Sequence, residues 1–234
     1  MRLDDPAVVR DEYADESRLA VRKAAHDFGE GPNARQVLFE AIAEAEPRRV
    51  IEVGPGEGEV AERLRDDRGC EVVAIDQSER MVELTRKRGI DARLGDVQDL
   101  PFDDEEFDCA VAAWMLYHVA DVERALGELA RVLRPDGRLV AVTNSRDHLR
   151  ELKDLTGIEG FRTTFDAEEA EQLLTPHFVR VERRDAAGRT MFPSRVEAQR
   201  FVDSAMIFAG RTLPPFDGLL HVRRAPVVFV AHKP

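Results

Sequence analysis

The sequence predicts an α/β protein built on a parallel sheet with helices on both faces. Two observations carry this prediction: short, unbroken apolar runs alternate with amphipathic segments of helical period, and glycines or prolines separate them. Continuous apolar strands are typical of parallel sheets, because both faces of such a sheet are buried. The length of 234 residues, set against about 150 per domain, favours one domain with an extension.

A helical cap is predicted at residues 1–46, ahead of a sheet domain at 47–234. Asp5 can cap a first helix, because its carboxylate can accept from the free N–H groups of the first turn. Asn33 can cap a later helix that runs to Glu46, where the following proline ends it. The two parts are expected to form one structural unit.

The middle of the chain alternates between strands and helices. The predicted strands are RRVIEVG, CEVVAID, IDARLGD, FDCAVAAWM and RLVAVTN, and the predicted helices between them are AERLRDD, SERMVELTRKRG and VERALGELARVLRPDG. Gly89 can cap the second of these helices, and Pro135 with Gly137 can end the third. Repeated β-α-β units of this kind predict that the strands lie parallel.

The last third of the chain is less regular. Helices are predicted at His148–Leu155 and from Asp166 as a cap through Leu174, with strands at FVRVERRDA and APVVFVAH. Between these strands lies an insertion at 188–224, with a predicted helix at Ser194–Phe208. Because the insertion and the N-terminal helices attach to the binding edge of the sheet, both are predicted to form a lid over a substrate.

The composition excludes several classes of protein. The net charge of −12 argues against a sequence-independent nucleic-acid binder, because clustered positive charge holds phosphate backbones. Two cysteines and six scattered histidines show no disulfide framework and no metal-ligand spacing, so no metal is predicted. The longest apolar run, Cys109–Tyr117, has 9 residues where about 18 would span a bilayer, and the N-terminus is charged. We expect a cytoplasmic protein, a monomer or homodimer, that binds neither nucleic acid nor membrane.

The most informative segment is VIEVGPGEGEV, a strand that runs into a turn with glycine at 54, 56 and 58 and then a helix. Glycines let the backbone approach a ligand closely, and the helix that follows offers unpaired N–H groups to an anionic group. A tight turn without a ligand is the alternative. The dinucleotide fingerprint G-x-G-x-x-G would need glycine at 59, where this chain has Glu59, so NAD is disfavoured. Asp76 ends the next strand and can accept hydrogen bonds from a ribose diol, although a solvated acid is the alternative.

Three motifs in order resemble the class I S-adenosylmethionine-dependent methyltransferases, in particular the large group that acts on small molecules. They are E-x-G-x-G-x-G at Glu52–Gly58, D-x-S-x-x-M at Asp76–Met81 and GDVQDLPF at Gly95–Phe102, and FDCAVAAWMLYHV and ELARVLRPDGRLV continue the pattern. The resemblance covers Pro47–Thr143 almost continuously. It implies a Rossmann-like, mostly parallel seven-stranded sheet with an antiparallel last strand.

The resemblance also implies which residues would hold S-adenosylmethionine, and its product S-adenosylhomocysteine. The residues around the methionine portion would be Glu52, Gly54, Pro55, Gly56 and Gly58, with Ala113 and Trp114 contacting its end through their backbone; those around the ribose and adenine would be Asp76, Gln77, Met81, Asp96 and Val97. Pro55 stands where the group often has other residues, and it keeps the turn at the cost of one N–H donor.

Two further residues are candidates for the chemistry. His118 follows the strand FDCAVAAWM, where imidazole could act as a base because it titrates near neutrality; a structural histidine is the alternative. Tyr13 could fold over the methyl donor or pack on the core, and Tyr117 could face the pocket or the sheet. Arg18 and Arg22 could reach the cofactor carboxylate or stay solvated.

We therefore predict a methyltransferase that transfers a methyl group to an O, N or C nucleophile of a small molecule. Methyl transfer from a sulfonium mainly requires alignment and exclusion of water, since the leaving group is already good. The alternatives are a nicotinamide-dependent oxidoreductase, a non-catalytic module that binds S-adenosylmethionine, and a methyltransferase that acts on a macromolecule. The charge of the chain argues against RNA as that macromolecule but leaves a protein target open.

Overall fold

The computed structural model describes residues 3–13, 17–24 and 29–234. The helices of these residues are α1 (Pro6–Glu12), α2 (Ser17–Ala24), α3 (Ala34–Ala43), α4 (Glu59–Arg68), α5 (Glu79–Lys87), α6 (Val122–Val132), α7 (Arg150–Leu155), α8 (Ala170–Leu174) and α9 (Arg195–Ser204). The strands are β1 (Gly29–Glu30), β2 (Arg49–Val53), β3 (Glu71–Asp76), β4 (Asp91–Leu94), β5 (Phe107–Ala113), β6 (Leu133–Asn144), β7 (Arg180–Asp185), β8 (Gly188–Phe192), β9 (Leu220–Arg224) and β10 (Pro226–His232).

A mostly parallel sheet forms the centre of the fold. In the described part of the chain it has seven strands in the order β4-β3-β2-β5-β6-β10-β7. Strands β2 to β6 pair in parallel, whereas β10, the last strand of the chain, pairs antiparallel with both β6 and β7. This confirms the predicted α/β fold with its antiparallel last strand.

Helices cover both faces of this sheet. Neighbouring residues of β2 belong to different cores: Ile51 packs with α6 and α8, and Val50 packs with α3 and α4. Both side chains are fully buried. A strand that is buried on both faces gains no advantage from polar alternation, which explains the continuous apolar runs of the sequence.

The insertion at 188–224 contains strands that the sequence analysis missed. Strands β8 and β9 pair antiparallel with each other, and β8 also pairs with β1 near the N-terminus, which gives a second, three-stranded sheet. The predicted helix at Ser194–Phe208 is present as α9 with Ser194 as its cap, but extended backbone at Ala205 separates it from a 3₁₀ turn at Met206–Phe208.

Several helix ends differ from the prediction. Helix α7 begins at Arg150 instead of His148, and α8 begins at Ala170 instead of directly after Asp166. Helix α6 ends at Val132 because Leu133 turns to extended backbone and is fully buried, so Pro135 and Gly137 lie in strand β6 beyond the helix. Helix α3 starts at its cap Asn33 as predicted and ends at Ala43. The predicted helical cap at 1–46 contains a short strand, β1. At 1–2, 14–16 and 25–28, which include His26, the prediction lies outside the described residues.

None of the helices in the described ranges is both long enough and apolar enough to cross a membrane.

Candidate active site

A cavity of about 740 Å³ opens at the edge of the large sheet where the parallel strands end. The carboxyl ends of β2, β3, β5 and β6 meet there, and segments from the N-terminal helices and from the insertion complete the wall. This edge is where open α/β sheets bind ligands, and the volume suits a small molecule.

The glycine loop after β2 forms one wall of the cavity. Gly54, Gly56 and Gly58 have φ values of 64°, 56° and 78°, a left-handed backbone that favours glycine. The loop is fixed from behind, because the Gly54 N–H donates to the Ile75 carbonyl at 2.8 Å. On the cavity side it is open: a Cβ placed on Gly56 would meet nothing closer than Leu19, at 3.8 Å. The loop can therefore bring its backbone against a ligand.

Gly58 lies behind the loop, against helix α5, and does not line the cavity. A Cβ on Gly58 would come within 2.8 Å of Thr85 Cγ2 and 3.1 Å of its Cα, whereas the equally left-handed Gly69 has no neighbour within 4 Å. Its role is to let α4 and α5 approach, and the Thr85 hydroxyl then donates to the Gly56 carbonyl at 3.0 Å.

Substituting Gly58 with alanine should destabilise the fold more than the same change at Gly69. Gly69→Ala pays only the left-handed backbone strain, about 1–2 kcal/mol. Gly58→Ala adds crowding against Thr85, which costs about 1–3 kcal/mol more. Urea denaturation of both variants measures the difference, and equal free energies of unfolding would contradict the packing role of Gly58.

Glu52 is a buried carboxyl group that faces the cavity. Its residue is 1% exposed and its Oε2 has no hydrogen-bond partner among the described residues. Burial raises its pKa to about 8, although the Ala61 N–H and the Arg35 charge oppose this shift. A buried oxygen without a partner is costly unless a ligand supplies one. Glu52 therefore suits a ligand with a cationic or N–H donating group at this position.

Asp76 lies at the end of β3, beside the glycine loop. It is half-buried, and burial raises its pKa to about 6 even though backbone N–H groups of Ser78, Gly56 and Gln77 donate to it. The Ser78 N–H reaches Oδ1 at 2.9 Å, so the carboxylate is held in place while it lines the cavity. Gln77, Met81 and Val97 line the same wall.

Asp96 is turned toward its own loop. Its two carboxylate oxygens accept from the Gln98 side-chain amide at 3.0 and 2.9 Å, and Oδ1 also accepts from the Gln98 N–H at 2.9 Å. Asp96 does not line the cavity, whereas its neighbours Gly95 and Val97 do. An adenine contact by Asp96 thus stays a prediction.

Ala113 and Trp114 bring the end of β5 to the cavity. Trp114 has a φ of 57°, which is unusual for a bulky residue, and its N–H donates to the Val142 carbonyl at 2.8 Å. Strain of this kind persists where the surrounding structure fixes it, and it clusters at functional sites. The turn it makes leads directly into the 3₁₀ segment Leu116–His118.

His118 is held on both sides by the N-terminal segment. Its Nδ1 lies 2.9 Å from the Leu3 carbonyl, which can only accept, so Nδ1 carries the proton. Its Nε2 lies 3.1 Å from the Tyr13 hydroxyl, which therefore donates to it. Burial lowers the pKa of His118 to about 4 and raises the pKa of Tyr13 to about 12. With both ring nitrogens engaged, the geometry favours a positioning role for His118; its role as a base stays a prediction.

His118 should make the fold less stable in acid. Its pKa is about 4 in the folded chain against an ordinary 6.5, so between these values the unfolded chain takes up a proton that the folded chain does not. The contribution of His118 to the free energy of unfolding is therefore fully present above pH 6.5. As the pH falls toward 4, the free energy of unfolding decreases by about 2–3 kcal/mol.

His118→Asn keeps a donor for the Leu3 carbonyl and cannot titrate, so it is the matched variant. Urea denaturation at pH 7.0 and pH 4.5 should show that wild type loses more stability than this variant. An equal loss in the two proteins would contradict the shifted pKa.

Two of the basic residues of α2, Arg18 and Arg22, are engaged within the protein. Arg18 and Arg22 both pair with Glu12, whose residue is only 3% exposed, and Arg22 also donates to the Ser204 carbonyl at the end of α9. Arg22 lines the cavity and joins the N-terminal helices to the insertion. The prediction that it reaches a cofactor carboxylate is untested. Glu12 was missed because nothing in its local sequence marks it as buried.

For the far half of the cavity, beyond β6, the sequence predicted only a lid from the insertion at 188–224 and left open whether Tyr117 faces the pocket. This half is lined by Tyr117, Thr143 and Ser145 together with a larger set of apolar, amide and charged groups. These groups are Asn144, Arg146, His148, Leu149, Lys153, Phe161, Arg162, Asp166, Phe192, Phe201, Met206 and Arg224. They come from segments of irregular pattern, so only the fold brings them together. Among the described residues no three His, Cys, Asp or Glu side chains are grouped as metal ligands.

Sequence comparison identifies relatives of the central part of the chain. Residues 51–141 match the family described as a methyltransferase domain. An uncharacterized methyltransferase of Mycobacterium tuberculosis is 39% identical over 135 residues, which are 55% of this chain and 53% of that protein. The chain thus spans about half the length of this curated relative.

Two solved structures share the fold. A SAM-dependent methyltransferase of Thermotoga maritima has 23% identity and a TM-score of 0.59, over 90% of this chain and 92% of its own. A phosphoethanolamine N-methyltransferase of Haemonchus contortus, in complex with phosphomonomethylethanolamine and S-adenosylhomocysteine, has 14% identity and a TM-score of 0.65, over 96% of this chain and 60% of its own. Residues 51–141 are thus similar to methyltransferase domains, and the chain shares the fold of these two structures.

Proposed function

We propose that the protein binds S-adenosylmethionine and transfers its methyl group to an O, N or C nucleophile of a small molecule. The observation that carries the proposal is the partnerless Glu52 oxygen buried beneath the open glycine loop, in one cavity with Asp76. S-adenosylmethionine bears an ammonium group at its amino acid end, which suits Glu52, and a ribose diol, which suits Asp76. The match of residues 51–141 to methyltransferase domains supports this cofactor, and one fold neighbour is in complex with its product.

The residues of the chain would divide the work between the two halves of the cavity. When bound, the sulfonium supplies an activated methyl group. The glycine loop, Glu52 and Asp76 fix the donor at the β2 and β3 side, and the strand order puts β5 between them and the β6 side. Trp114 and the 3₁₀ segment behind it lie at this middle position. The protein aligns the two partners and excludes water, which is the main requirement for this transfer.

A dinucleotide fits less well. Glu59 stands in the first turn of α4, where a pyrophosphate would approach the helix. Although burial opposes it, hydrogen bonds from Lys23 and Arg35 lower the pKa of Glu59 to about 2, so the group stays ionised. This ion-paired side chain stands where the dinucleotide fingerprint requires a glycine, which supports the methyltransferase over the oxidoreductase.

We further propose that the N-terminal helices and the insertion at 188–224 act as a lid. Both segments line the cavity, and Arg22 links them through the Ser204 carbonyl. Binding of S-adenosylhomocysteine with an acceptor should therefore slow amide hydrogen exchange in β8, α9 and β9. Strand β4, outside the lid, is the internal reference. Equal exchange in the free and bound protein would contradict the lid.

The direct test of activity uses methyl-labelled S-adenosylmethionine and a panel of small phenols, amines, carboxylates and activated carbon acids. We expect transfer of label and stoichiometric S-adenosylhomocysteine with at least one class. Tight binding of the cofactor with no transfer to any class, and with an acceptor half that binds none of them, would favour the non-catalytic module instead.

A further inference from the structure

The far half of the cavity, beyond β6, is called the acceptor half because the proposed methyl acceptor would bind there. It contains a buried ammonium group to which the proposed reaction assigns no role. Lys153 lies on α7, lines the cavity, and is 7% exposed. Its Nζ donates to the Arg146 carbonyl at 2.6 Å. An ammonium has three N–H donors, so this contact leaves two of them for other partners.

No carboxylate within the described ranges pairs with Lys153. The acids whose charges act on it are Asp147, Asp154 and Glu168, and each is engaged elsewhere. Asp147 and Asp154 face Arg150, at 3.4 and 3.9 Å, and Glu168 accepts from the Ser145 hydroxyl at 2.6 Å. The Lys153 charge is therefore buried without a direct counter-ion, which costs stability unless a ligand brings one.

The neighbouring guanidinium of Arg146 is in the opposite situation. It donates to Asp166 at 2.7 Å and also to Glu169, so its charge is already compensated. Arg162 pairs with Glu169 at 3.4 Å, and Arg224 donates to the backbone carbonyls of Arg189 and Glu30. Neither of these two side chains is buried, so Lys153 is distinguished by its burial without a carboxylate partner. A single charge with two remaining donors matches a carboxylate, with one negative charge and two oxygens, better than a phosphate with nearly two.

Two further features describe the rest of the acceptor. Asn144 lines the cavity, and its Oδ1 atom is buried without a hydrogen-bond partner among the described residues, so it can accept from an O–H or N–H group. Phe161, Phe192, Phe201 and Met206 give the same region an apolar wall. A ligand with an apolar body, a carboxylate and a hydroxyl or amine would satisfy all three features.

We propose that the methyl acceptor is a small apolar carboxylic acid whose carboxylate binds Lys153. This inference rests on the proposed function, because only a methyltransferase has a methyl acceptor. The carboxylate site itself does not depend on methyl transfer. Lys153 is then a specificity residue on the β6 side of the cavity, opposite the glycine loop in the strand order.

The test is a calorimetric titration of the protein with benzoate and hexanoate, each against its neutral amide, and with phenyl phosphate. It is run on the protein alone and on the protein saturated with S-adenosylhomocysteine. We expect at least one carboxylate to bind saturably and to bind about tenfold or more tightly than its amide and than phenyl phosphate.

Lys153→Gln should lower the affinity for that carboxylate by about tenfold or more, while the affinity for S-adenosylhomocysteine changes less than about twofold. Glutamine keeps a donor for the Arg146 carbonyl, and Lys153→Met is a second variant if the first is unstable. Lys87→Gln is the matched control, since Lys87 is exposed on α5 and pairs with Glu83 at 2.8 Å.

Three results would overturn the proposal: equal affinities for acid and amide, the same carboxylate affinity in wild type and both Lys153 variants, or no saturable carboxylate binding. Tighter binding of phenyl phosphate than of either carboxylate would also contradict the proposal, and it would indicate a ligand with a phosphate group. Failure of the proposed function is seen separately, as a lack of S-adenosylhomocysteine binding while the carboxylate titration of the protein alone still reports on Lys153.

Discussion

Replacing Asp76 with alanine should weaken the binding of S-adenosylmethionine by about 1.5–3 kcal/mol, or roughly 10- to 150-fold. The carboxylate is held by the backbone N–H groups around it and lines the cavity beside the glycine loop, so its free lone pairs can accept from a diol. Because its pKa is raised to about 6, the group is mostly ionised at pH 7.5, where calorimetry should be done.

Asp99→Ala is the control for this prediction. Asp99 lies in the loop between β4 and β5. Its side chain is 87% exposed, and its nearest charged partner is Arg124, at 4.0 Å. Both variants should melt at similar temperatures. An unchanged cofactor affinity in a folded Asp76→Ala protein would remove Asp76 from the binding site.

Binding of S-adenosylmethionine should release close to one proton at pH 7, and Glu52→Gln should abolish most of this release. The pKa of Glu52 is about 8 in the free protein, so the group is mostly protonated at that pH. A cationic ligand beside it favours the carboxylate and lowers the pKa. The affinity of the wild type should consequently rise with pH up to about 8 and then level off.

Calorimetry in phosphate and Tris buffers, whose ionisation enthalpies differ, measures the protons released. Glu52→Gln keeps the size of the side chain, and it should bind S-adenosylmethionine more weakly by about 1.5–3 kcal/mol, with the same enthalpy in both buffers. Wild-type binding without proton release, or equal release in the variant, would show that Glu52 does not face the cationic end of the ligand.

The order of the elements could be predicted from the sequence because local patterns encode it. Val50, Ile51 and Val53 put apolar side chains on both faces of β2, and the caps Asn33 and Ser194 act on N–H groups within the next three residues. The edge of the sheet that carries the cavity could be predicted as well, since the glycine loop and Asp76 lie at the carboxyl ends of their strands.

What could not be predicted depends on contacts between distant segments. Strand β8 pairs with β1, more than a hundred residues away, and its sequence GRTMF has little strand pattern of its own. The burial of Glu12 depends on Arg22, which also bonds Ser204 at the other end of the chain. Lys153 looks like a surface residue of a short helix, and only the packing of α7 under β9 buries it. The pKa of His118 lies below the near-neutral value expected from the sequence for the same reason, because Leu3 and Tyr13 from a distant segment bury its ring.

The most direct test of the central claim is calorimetric titration of the purified protein with S-adenosylmethionine, S-adenosylhomocysteine and NADH in parallel. The structure predicts saturable binding of the first two, at about micromolar levels, and none of NADH. Tight binding of NADH without a response to S-adenosylmethionine would contradict the assignment of Glu52, Asp76 and the glycine loop to a methyl donor.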